Sequence, residues 1–192
     1  MANADNPCGL KPVRHVTGAP YNGAARVFST ASGDATAIYI GDPVKLSGTS
    51  STINGVVYTD VDQAATGDVI VGVVVGVLPD TADSLIYRAA STTRRVLVAT
   101  DPDLEYEIQE VSGGTALAAA DIGLNADFVV GSGSTITGKS GVELNNVGEA
   151  TTNTLDLQIV GLVARADNAV GEHAKWLVRI NRHQFANQIA GV

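Results

Sequence analysis

The stretch "GSTITGKS", residues 133–140, decides between two folds. Gly133, four residues, then Gly138, Lys139 and Ser140 satisfy G-x-x-x-x-G-K-[ST], the pattern of a phosphate-cradling loop. Such a loop joins a strand to a helix whose N-terminal dipole faces the phosphates, inside a run of alternating strands and helices. The strand side is present as "DFVV" at 127–130. The helix side is absent, because "GVELNNVGEA" follows Ser140 and spreads Gly141, Asn145, Asn146 and Gly148 over the ten positions a helix needs. The rest of the chain shows no strand–helix alternation either. In a chain rich in Gly, Ser and Thr the match is a coincidence. The stretch reads as a loop between strands, and neither nucleotide binding nor a nucleotide cofactor is expected.

Outward from that loop, the composition points the same way. The chain has 192 residues, enough for one domain, or one domain with an arm, and 45% are hydrophobic, enough to bury a core. Valine and alanine dominate, aromatics reach only 5%, and 21 glycines punctuate the rest. β-Branched residues between glycine-rich turns favour short strands. "TAIYI" (36–40), "VKL" (44–46), "VVYTDV" (56–61), "DVIVGVVVGVLP" (68–79), "RRVLVATD" (94–101), "LEYEIQEV" (104–111), "TLDLQIVGLVARA" (154–166) and "KWLVRIN" (175–181) read as strands. The polar run "SGTSSTING" (47–55) reads as a connection ending in the tight-turn pair Asn54-Gly55. In the valine run, Gly72 and Gly76 mark bulges or close approaches. Only "TALAAADI" (115–122) has helix-like composition, one or two turns at most. An all-β barrel or sandwich of about eight short strands with one short helix follows.

The charged and nucleophilic residues supply no chemistry. In "DPDLEYEIQE" (101–110), Asp101, Asp103, Glu105 and Glu107 fall on one face of a strand, with Leu104, Tyr106 and Ile108 on the other. A straight row does not curl round an ion as a calcium loop does, so the row reads as the solvated face of an amphipathic strand. His15, His173 and His183 pair with nothing in sequence, no serine sits in a nucleophile elbow, and Cys8 is the only cysteine. No catalytic, cofactor or metal site is expected. The apolar run at 69–78 has ten residues against the roughly 20 of a spanning helix, and no secretory leader is read at the start. A net charge of −8 argues against nucleic acid as a partner.

Residues 1–30 read differently from the remainder. Pro7, Pro12 and Pro20 alternate with Gly9, Gly18 and Gly23, which bars a helix or a long strand. Leu10, Val13, Val16 and Tyr21 make the segment too apolar for a solvated tail. The charges segregate too: residues 1–30 net +2, 175–192 net +3, and the middle −13. The chain therefore divides into an extended N-terminal arm, 1–30, and a β-rich domain, 31–192. The arm lies on some surface, either a partner's, its own barrel's or a neighbouring subunit's.

The segments "NPCGLKPVRHVTGAPYNGAARVFSTASGDATAIYIGDPVKL" (6–46), "VLVATDPDLEYEIQ" (96–109), "TGKSGVELN" (137–145) and "KWLVRINRHQF" (175–185) together resemble head decoration, or capsid cement, proteins of tailed bacteriophages. The resemblance implies a small tulip-like barrel with a terminal arm, made in the host cytoplasm and placed on the capsid exterior. It implies a homotrimer that binds the major capsid protein and cements neighbouring capsid subunits against internal DNA pressure. Nothing in it calls for an enzyme, a small-molecule substrate, nucleic acid or a membrane. In the arm, Lys11, Arg14 and Arg26 would meet capsid carboxylates, with His15 among them, while Leu10, Val13, Val16 and Tyr21 supply apolar area. Another virion β protein, a tail-tube or head-completion subunit forming rings of six or more, shares the composition. A soluble nucleotide hydrolase stands only if the loop motif is real.

Overall fold

A computed structural model describes residues 3–188 and 191. Among them the chain forms β1 (Lys11–His15), β2 (Arg26–Thr30), β3 (Pro43–Ile53), β4 (Val56–Gln63), β5 (Gly72–Val77) and β6 (Arg94–Ala99). There follow β7 (Leu104–Gln109), a 3-10 turn (Ala119–Asp121), β8 (Asn125–Ala126), β9 (Phe128–Val129), β10 (Glu143–Leu144), β11 (Leu157–Leu162) and β12 (Lys175–Ile180). Strands β2-β4-β3-β5-β6 close into a barrel, and β1-β7-β12-β11-β8 form a five-stranded antiparallel sheet against it. The fold is all-β. Several strands beyond the expected eight are two residues long, too short to leave a periodic pattern in the sequence.

Strands β3 and β4 join through Asn54 and Gly55 at φ 52° and 80°, the mirror-image turn that suits a twisted hairpin. The polar run before them is strand and not connection: Ser50, Ser51 and Thr52 pair with Thr59, Tyr58 and Val57. What holds so hydrophilic a strand is Asp60, buried on β4. Its carboxylate accepts from Ser29, Thr49 and Ser51 at 2.5, 3.0 and 3.0 Å. "TAIYI" is the converse case. It makes isolated bridges, Ile38 with Arg88 and Ile40 with Lys139, and extends no ladder.

Strand β5 lacks alternation because both its faces are buried. Val74 points into the barrel with Phe28, Val44, Val61, Val96 and Val98. Val73 points out, into a second core that the barrel wall shares with Tyr106, Phe128, Leu157 and Trp176. Both glycines act as read. The ladder with β6 shifts register between Val74 and Gly76, and a Cβ on Gly72 would collide with the Ala99 carbonyl oxygen.

The acidic row is solvated only in its first half: Asp101 and Asp103 precede β7 and are exposed, while Glu105 and Glu107 are buried. Strand β7 is the second strand of the sheet, between β1 and β12, and all six of its residues are buried. Leu104, Tyr106 and Ile108 enter the shared core as expected. Glu105 and Glu107 are covered on the opposite face by arginines from other segments. The neighbouring Glu110, with no exposure, accepts from Trp176 Nε1 at 2.9 Å, Leu117 N at 2.9 Å and Asn146 Nδ2 at 3.2 Å.

Barrel and sheet meet along a polar seam. Gly67, in the β4–β5 connection, donates its N–H to Asp156 before β11, and Ile70 pairs in parallel with His183 after β12. Burial pushes the Asp156 carboxyl up to about 7; the Gly67 N–H and Arg182 pull it back, and the nearby Asp127 carboxylate pushes it further. Burial pushes the His183 ring down to about 4; Asp101 and Asp103 oppose that shift and Arg179 adds to it.

Two outcomes follow from these contacts. Gly72→Ala forces β5 and β6 apart and should cost ~1–3 kcal/mol, as overpacking does, read as a lower urea midpoint; an unchanged midpoint would refute the close approach. The pH response should have two flanks. Asp156, raised in the fold above its ordinary 3.8, contributes stability that is complete below that value and is lost as pH rises through about 7. His183, depressed below its ordinary 6.5, contributes stability that is complete above that value and is lost as pH falls through about 4. Calorimetry between pH 4 and 8 should show Asp156→Asn flattening the alkaline flank and His183→Asn the acid one.

Candidate functional site

The N-terminal segment does not stand off as an arm. Leu10 is 1% exposed and lies in the shared core, so it cannot be a contact residue for a partner. Pro12 does not prevent β1 from forming, because the strand is an edge and the chain bulges between Pro12 and Arg14. The returning chain then covers that edge: His15 N donates to Ala19 O and Tyr21 N to Val13 O. Nor is residue 30 a domain boundary. Strand β2 pairs with β6 over five positions and closes the barrel.

The segment's charges are largely engaged at home. Arg14 Nε donates to Glu105 Oε2 at 2.6 Å, and His15 Nδ1 lies 3.3 Å from Asp101 Oδ2. The Arg26 guanidinium lies 5.4 Å from the Phe28 ring centre and 6.0 Å from that of Phe185. Tyr21 packs against the shared core and donates its hydroxyl to Ala24 O. Of the residues expected to meet a partner, Val13 and Val16 keep their apolar side chains exposed. Arg14 has an intramolecular partner, because β7 buries a carboxylate that needs one.

Lys11 behaves differently. It faces a cavity of about 480 Å³ where the N-terminal segment, the sheet, β5 and the 131–140 loop converge. Lys139, Arg165 and Lys175 share the lining with Glu107, while Tyr21, Ile40 and Val75 give it apolar surface. Arg165 is held by Glu107 Oε1 at 3.0 Å and Asp167 Oδ1 at 3.2 Å. These pairings, and the loss of solvent opposed by them, leave the guanidinium raised above its ordinary pKa.

Asp5, Glu143 and His173 come together beside the cavity, with one ligand atom from each within 4.8 Å of the others. No spacing in the sequence announces them, since the three stand far apart along the chain. The Gln109 amide lies among them, donating to Asp5 Oδ1 and Glu143 Oε1 at 2.9 Å each, while its own oxygen accepts from Asn6 N. Burial pushes the Glu143 carboxyl up, against that hydrogen bond from Gln109. The cluster is satisfied as a hydrogen-bonded clasp on the N-terminal segment.

Comparison with protein-family models, curated proteins and solved structures gives no match. The integration of the segment is directly testable. A chain lacking residues 1–24 loses Leu10 from the core and strips Glu105 of its arginine, so it should lose its cooperative thermal transition. A transition within a few degrees of the full chain's would restore the separable arm.

Proposed function

We propose that this protein is a structural subunit of a tailed-bacteriophage virion, a homotrimer on the capsid exterior that binds the major capsid protein and cements neighbouring subunits without chemical turnover. The observation that carries the reading beyond resemblance is apolar surface presented on a stiff β frame. Ile136, at the tip of the 131–139 loop, is 88% exposed, and Leu85 and Ile86 on the adjoining segment are about half exposed. The two segments touch, since Gly138 sits directly against Ile86. Hydrogen bonds from Ile40 N to Gly138 O and from Ile38 N to Arg88 O brace both against the chain between them, and Tyr39 stacks on Tyr87 at 4.9 Å. Clustered exposed aliphatics mark association surfaces. A cement protein needs many modest contacts of this kind, multiplied by symmetry.

The test is sedimentation with expanded heads of the phage that carries the sequence, beside light scattering of the free protein. The full chain should be a trimer and co-sediment with heads. The double substitution Ile86→Asp/Ile136→Asp should abolish co-sedimentation while moving stability by no more than about 0.5 kcal/mol, as exposed positions do. A full chain that ignores the heads would overturn the proposal, and a hexameric ring would favour the tail-tube reading.

A further inference from the structure

Three of the chain's four lysines, Lys11, Lys139 and Lys175, line the one cavity described above. They come from β1, the 131–140 loop and β12, so sequence proximity does not explain their meeting. Among the described residues none of the three has a carboxylate partner, whereas the fourth lysine, Lys45, is paired with Asp68 at 2.8 Å. Carboxylates are not scarce: the chain has 20 acidic residues against 12 lysines and arginines. The lining nevertheless sets four cations against one carboxylate, Glu107, and with Asp167 on Arg165 counted the local balance is still +2 in a chain of net −8. Like charges gathered in a recess repel, and an anion entering it relieves that repulsion.

The chemistry of the donors limits what that anion is. The guanidinium of Arg165 is already committed to Glu107 and Asp167, so no free planar fork is offered for bidentate recognition. Lysine ammonium groups act as point charges on flexible stems and read charge number more than shape. The remaining wall offers the half-buried apolar side chains of Tyr21, Ile40 and Val75. The volume of about 480 Å³ falls within the range of small-ligand sites. We propose that this cavity binds a multivalent organic anion, two or more carboxylates on an apolar frame, with Lys11, Lys139 and Lys175 holding the charges and the aliphatic wall holding the frame. The assignment is independent of what the outer surface attaches to.

Benzene-1,3,5-tricarboxylate is a suitable probe, titrated calorimetrically into the full chain at low salt, with acetate and pyrophosphate as comparators. Saturable binding is expected, weakening as salt is added and far tighter than for acetate. Lys139→Ala removes an exposed loop side chain with no internal partner, so it should leave the melting temperature unchanged and weaken binding about 5-fold, the scale of one solvent-open ion pair. Lys175→Ala should act similarly, and Lys45→Ala should leave binding as it was. Absence of saturable binding, or binding indifferent to Lys139→Ala and Lys175→Ala together, would overturn the site. Pyrophosphate binding as tightly as the tricarboxylate would overturn the organic frame.

Discussion

Burial of β7 on both faces constrains most of the molecule. One face is apolar and enters the shared core; the other carries Glu105, Glu107 and Gln109. A buried carboxylate without a partner costs several kcal/mol, so each must be met. Arg14 meets Glu105, Arg165 meets Glu107, and Gln109 joins Asn6, Asp5 and Glu143. These partners come from the N-terminal segment, the chain after β11 and strand β10. Neutralising one strand thus draws together parts of the chain that are distant in sequence.

The barrel repeats this logic at its own polar points. Arg88 has no exposure and spends its guanidinium on Asp34, Thr30 and the carbonyls of Ala31, Thr36 and Thr92. Asp60 collects three hydroxyls from β2 and β3. The buried charges of this protein are spent on internal partners, and Arg14 is drawn into that role by Glu105. Among the exposed residues stand several large aliphatics, Ile136, Ile86, Leu85, Val13 and Val16.

The fold class was legible because valine runs, glycine punctuation and the Asn54-Gly55 turn are local signals. The role of β7 was not. Period-two alternation shows that two faces differ, but it cannot say whether the polar face meets water or arginines from 91 and 58 residues away in the chain, as Glu105 and Glu107 do. The same limit hid the cavity, since Lys11, Lys139 and Lys175 have no common spacing. The N-terminal segment was read as an apolar, irregular arm lying on some surface, with the surface left open. Where it docks was decided by β7, which the sequence had presented as solvated.

The glycines of "GSTITGKS" show how one pattern can serve two kinds of physics. In a phosphate loop, glycines let backbone amides approach an anion. Here Gly133 lies so close to the Tyr39 ring that a Cβ would strike it, and Gly138 sits at φ 70° against Ile86. Ser140 N donates to Ile40 O, and the buried Ser140 hydroxyl accepts from Val142 N. Gly133 and Gly138 are thus required by close packing of the loop on Tyr39 and Ile86. That packing holds Ile136 outward at the tip and sends Lys139 to the basic cavity. The motif's lysine therefore does line an anion-attracting recess, but one built from β1, β12 and the chain after β11, with no helix dipole in it.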